Sequence, residues 1–114
     1  MNITKEVQRF LMEYEFPTKV NGYNYLKESL VYVMTNDINP SNKIMFSELA
    51  TKFNTDIDNI ERCLRTIIDK MWGVLATVGL FSDRPTTREF IMKCAEFISI
   101  GTRPQSAYDI LTRH

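Results

Sequence analysis

Histidine is almost missing from this sequence: the one copy is the last residue, His114. Without an internal imidazole, the nucleophile–base pairs that activate a serine or cysteine lack their usual base. Glycine is scarce too, with four isolated residues, so no glycine-rich loop can wrap a phosphate in backbone N–H donors. The two cysteines, Cys63 and Cys94, have neither a CxxC partner nor a nearby histidine, and each falls on the apolar face of a predicted helix. They read as core side chains rather than redox groups or metal ligands. Carboxylate pairs such as Asp56 with Asp58, or Glu13 with Glu15, read as helix caps and solvated surface. Neither a catalytic constellation nor a metal or cofactor site is expected, and an enzyme is the reading with least support.

Long apolar runs are absent as well. The helix expected to begin near Ile3 is interrupted by Lys5, Glu6, Gln8 and Arg9, which fits neither a signal sequence nor a membrane anchor. A cytoplasmic protein is expected, and Met1 followed at once by a helix reads as an independent start. Net charge is zero, 14 Lys and Arg against 14 Asp and Glu. A general polyanion binder neutralises many phosphates and carries a basic surplus, so nucleic-acid binding here has to rest on local charge, and a lone copy should bind weakly.

What the sequence does have is helical periodicity. Its 114 residues, 44% hydrophobic, are enough for one core and too few for two, so residues 1–114 are read as a single domain with a C-terminal tail from about 102. Val7, Phe10, Leu11 and Tyr14 form one apolar stripe, Leu26, Leu30, Val33 and Met34 a second, and Phe90, Ile91, Cys94, Phe97 and Ile98 a last one before Gly101. Tyr23, Tyr25 and Tyr32 read as core and rim. Thr86 with Glu89, directly after Pro85, is a capping-box signature that starts the last long helix. Segments 36–41 and 82–85 read as loops. Alternating strand patterns are absent, and the fold class predicted is all-α, a compact bundle of about five or six helices.

The most informative stretch is Phe46 to Trp72, FSELATKFNTDIDNIERCLRTIIDKMW. Phe46, Leu49, Ala50 and Phe53 mark the buried face of a first short helix. Asn54 supplies a turn residue that tolerates the left-handed backbone region. Thr55 is placed as N-cap of a second helix, with Asp58 in its first turn. That helix is expected to bury Ile60, Cys63, Leu64, Ile67, Ile68 and Met71, leaving Asn59, Glu61, Arg62, Arg65, Thr66 and Asp69 to solvent. This is the layout of a helix-turn-helix over about 46–72. Such helix pairs also occur in small domains that never touch nucleic acid, but the exposed residue types favour double-stranded DNA. Arginine is the commonest bidentate reader of guanine, Glu61 can accept from a cytosine amino group, and Asn59 and Thr66 are competent readers. A merely solvated face would more often carry Lys and Glu at i, i+4 spacing.

The runs GYNYLKESL (22–30), ELATKFNT (48–55), IERCLRTII (60–68) ending in Trp72, and RPTTREFI (84–91) resemble, in order, the C-terminal DNA-binding effector domain of the stage-zero sporulation response regulator family of endospore-forming bacteria. The similarity spans roughly Val7 to Ile98. It implies a bacterial transcription regulator whose second helix reads the major groove at the positions of Asn59, Glu61, Arg62, Arg65 and Thr66. Lys52, able to reach a phosphate, and Thr55 complete the candidate DNA-binding set. Glu61, Arg62 and Arg65 match the family; Asn59 stands where the family usually has an arginine, and Thr66 where it usually has a histidine. In full-length members a phosphorylatable receiver domain precedes this one, and phosphorylation drives dimerisation on short repeated promoter sites. No receiver is present in these 114 residues, and pairing of two copies on tandem sites is the corresponding expectation. The segment from Trp72 to Pro85 is shorter than the family's, which includes a region that contacts the RNA polymerase sigma factor, a partner the resemblance therefore also suggests. The competing class is a receiver-less interaction module that binds a full-length regulator or polymerase subunit and modulates it.

Overall fold

A computed structural model describes residues 2–36 and 42–101. Five helices occur among them: α1 (Ile3–Glu13), α2 (Asn21–Asn36), α3 (Asn42–Lys52), α4 (Ile57–Ala76) and α5 (Thr87–Gly101), with no strand among the described residues. Most of the loop expected at 36–41, and the tail from 102 to His114, lie outside the described residues.

The helix ends show how local sequence sets the chain's turns. Asn2 caps α1 by accepting the Lys5 N–H at 3.1 Å. Three helices then stop in the same way, with a left-handed residue and two reversed hydrogen bonds, the Schellman arrangement. In α1 Phe16 N–H donates to Leu11 C=O at 2.9 Å around Glu15; in α3 Thr55 N–H donates to Ala50 C=O at 2.9 Å around Asn54; in α4 Leu80 N–H donates to Leu75 C=O at 3.1 Å around Gly79. The φ angles are 56°, 52° and 88°. Asn54 therefore adopts the conformation that its residue type predicts.

Helix α2 is the hub and packs on each of the other four. Its Leu26, Leu30 and Val33 join Phe46 of α3, Ile60, Leu64, Ile67, Ile68 and Met71 of α4, and Phe90 and Ile91 of α5 in one core. Ser29 is buried among them and donates to Tyr25 C=O at 2.7 Å. Helices α2 and α4 approach closely at Gly22. A Cβ there would stand 2.4 Å from the Cys63 carbonyl oxygen and 3.1 Å from Ile67 Cγ2, so only a residue without a side chain fits. Away from α3, aromatic rings fill the junction of α1 and α5. Phe10 lies 5.7 Å from Phe16 and 5.9 Å from Phe97, and Phe81 stacks on Phe90 at 5.4 Å.

Several expectations need correction. Helix α3 starts a turn before Phe46, and Met45 adds to its buried face. Helix α4 runs to Ala76 rather than Trp72, because Gly73 sits exposed without breaking it and Leu75 beyond is fully buried. Phe97 is 38% exposed and lies over Phe10 and Tyr14 as a lid instead of entering the core. Cys63 is half-buried at the edge of the α2–α4 contact, whereas Cys94 is buried and its thiol is pushed well up by desolvation.

The capping box before α5 forms as expected. Thr86 N–H donates to Glu89 Oε1 at 2.9 Å, and Glu89 N–H donates to Thr86 Oγ1 at 3.1 Å. Hydrogen bonding from the Thr86 backbone, then from its side chain, holds the Glu89 carboxyl below its ordinary 4.5. A lowered folded-state value means this stabilisation is present above the ordinary value and is lost as pH falls through the folded one. The Glu89→Gln variant, titrated by thermal unfolding from neutral to strongly acidic pH, should lose less stability on the acid side than the wild type does. Gly22→Ala should lower stability by about 1–3 kcal/mol because neither backbone can yield. Gly73→Ala, with nothing within 4 Å of its added Cβ, should instead raise stability by about 0.5–1 kcal/mol. Urea unfolding of the two variants measures the contrast.

Candidate nucleic-acid interface

Helices α3 and α4, with Asn54 between them, form the helix-turn-helix. The α3 lock consumes the Thr55 N–H, which bonds to Ala50 C=O. Capping of α4 passes to Asp56, extended at φ −113° and ψ 166°, whose Oδ1 accepts the Asn59 N–H at 2.7 Å. The N-cap expected at Thr55 is thus displaced by one residue. Asp58 lies in the first turn as expected, and α4 presents its core stripe inward.

The sequence-derived residues fall around one outer surface. Arg62 and Arg65 are exposed on successive turns of α4, as is Thr66, whose hydroxyl donates to Arg62 C=O at 3.1 Å. Arg65 has neither a hydrogen-bond nor an ion-pair partner among the described residues. Glu61 is half-buried. Asn59, expected on the solvent side, is half-buried too, with its amide turned toward Tyr25, Thr55 and Arg62. Thr55 is half-buried, and its hydroxyl oxygen accepts from Asn59 Nδ2 at 3.0 Å. Lys52 is exposed at the end of α3; its Nζ lies 3.0 Å from Glu28 Oε2 and 5.9 Å from the Phe53 ring centroid.

Two partners found in the fold change the local charge that sequence counting gives. Arg84, in the loop before α5, donates through Nε to Asp69 Oδ1 at 2.6 Å and also pairs with it through Nη2. The carboxylate that would dilute the field of Arg65 and Lys70 is therefore covered by a cation. Glu28 of α2 covers Lys52 in the opposite sense. Exposed pairs of this kind are worth about 0–1 kcal/mol, so a phosphate can take Lys52 from Glu28 at small cost. Arg84 lies within the RPTTREFI run, but its partner is fifteen residues away, beyond the reach of helical spacing. Glu28 and Tyr25 carry no signal except their place on a helix that the fold lays against the motif.

Residues 7–98 match the family described as sporulation initiation factor Spo0A C terminal. The chain belongs to this family. Spo0A C-terminal domains are DNA-binding effector domains of a sporulation transcription regulator and are not an enzyme family. The match begins inside α1 and ends inside α5, so it reaches all five helices among the described residues and bears out the resemblance seen in the four sequence blocks. Among the described residues no helix is long and apolar enough to cross a membrane.

Proposed function

We propose that this domain is a sequence-specific double-stranded-DNA-binding regulator that reads the major groove with the outer face of α4. The observation that carries the proposal is the pairing of a rigidly buried inner stripe with two arginines one turn apart on the outside, in a chain of the Spo0A C-terminal family. Arg62 and Arg65 are the base readers, each able to address guanine O6 and N7. Glu61 is suited to a cytosine amino group, and Thr66, whose hydroxyl hydrogen is turned to the helix, to accepting from a base. Asn59 belongs to the same face. Lys52 and Thr55, at the turn, serve phosphates.

Balanced total charge means that few phosphates are neutralised per copy, which favours two copies on tandem sites over a lone one. A second reading, an interaction module for a polymerase subunit such as the sigma factor or for a full-length regulator, is favoured by Val74 and Val78. These are 43% and 49% exposed, Val74 in the last turn of α4 and Val78 just beyond it, in the segment after Trp72.

Arg62→Ala and Arg65→Ala should each weaken specific duplex binding by about 1–3 kcal/mol, and Lys52→Ala should weaken all sequences alike and lower the salt slope by about one. Fluorescence anisotropy at several salt concentrations checks both. If neither arginine variant alters discrimination between cognate and scrambled duplex, α4 is not the reader. Co-purification with a polymerase subunit by a protein that binds no duplex would put the second reading in its place.

A further inference from the structure

A side-chain amide has two donor hydrogens and one acceptor oxygen, and those of Asn59 are already engaged. Nδ2 donates to Tyr25 Oη at 3.3 Å and to Thr55 Oγ1 at 3.0 Å. Oδ1 accepts from Arg62 Nη2 at 2.5 Å, with Cys63 Sγ 3.7 Å away. Reading adenine with an amide takes one donor and the acceptor together, and the two lone pairs of Oδ1 already receive Arg62 and Cys63, so Asn59 could do it only by releasing one of its hydroxyl partners and one of these two donors. Tyr25 is a firm end to this chain of contacts. It is buried on α2, and its ring meets Phe53 edge-on at 5.0 Å. Arg62 keeps most of its five donors after giving one to Asn59.

We infer that Tyr25 and Asn59 are positioning residues that aim the Arg62 guanidinium at the groove, so that α2 takes part in base selection from behind the recognition helix. Fixing one rotamer of a long side chain before binding reduces the ordering cost of the contact and sharpens its selectivity. The inference rests on the proposed reading of DNA by α4.

The test uses the duplex that the wild-type protein selects from random sequence, and the base pair whose preference Arg62→Ala abolishes. Tyr25→Phe keeps the ring and its packing and cannot touch DNA. It should lower preference at that base pair about fivefold, the scale of one hydrogen bond, while preference at the Arg65 base pair and the salt slope stay unchanged. In an Arg62→Ala background, Tyr25→Phe should have no further effect. Asn59→Ala should behave like Tyr25→Phe. Asn59→Asp should retain the preference at lower overall affinity, since a carboxylate still accepts from Arg62 and from the two hydroxyls but cannot read adenine. If Tyr25→Phe leaves the preference intact, or Asn59→Asp fails as badly as Asn59→Ala, Asn59 reads a base directly and the inference is overturned. A wild type that selects no duplex overturns the underlying reading instead, and the inference with it.

Discussion

The contact of α2 with the backbone of α4 at Gly22 is the constraint on which the rest of this structure depends. It brings two helices together where no Cβ can stand, and it does so in the middle of the helix that carries Arg62 and Arg65. With Cys63 C=O fixed beneath Gly22, and Ile60, Leu64, Ile67 and Met71 locked in the core, α4 has little freedom to rotate about its axis. Its outer face is determined by what its inner face must bury. A recognition surface needs this property, because base-edge hydrogen bonds lose most of their selectivity if their donors are free to shift.

The turn between α3 and α4 works through the same economy of backbone groups. Asn54 lets α3 end in a left-handed residue, the reversed bond from Thr55 closes that helix, and Asp56, the next residue, caps α4. The hydrogen bonds that close α3 and open α4 all lie between residues no more than five apart, so the path of the chain through the turn rests on local chemistry. The polar contacts around Asn59 are built on top of it. They join the turn through Thr55, the hub helix through Tyr25, and the outer face of α4 through Arg62.

Much of the fold was legible because it is written at short range. The stripe Ile60, Leu64, Ile67, Met71 follows from periodicity alone; the left-handed Asn54 and the Thr86–Glu89 box follow from residue type and spacing. What could not be read is what depends on distant neighbours. The half-buried state of Asn59 comes from a tyrosine 34 residues earlier, and the neutralisation of Asp69 comes from an arginine in another loop. The cap lies on Asp56 rather than Thr55 because Thr55 belongs to the turn that closes the preceding helix and its hydroxyl oxygen accepts from the Asn59 side chain, an arrangement that neither helix reveals when considered singly. Phe97 continues an apolar stripe in sequence, yet in the packed fold it is a partly exposed cover over Phe10 and Tyr14 of α1 and the turn after it.

Gly22 was legible only as a scarce residue within a block shared with the Spo0A C-terminal family; that it sets how closely α2 packs on α4 is a property of the packed fold. The central claim is that the buried side of α4 fixes an outer face able to select a DNA sequence. Its most direct test is selection of bound duplexes from a random pool by the protein, followed by sequencing of what is retained. Enrichment of a short motif with guanines at the positions that depend on Arg62 and Arg65 is the predicted result. A retained pool no different from the input would contradict the account.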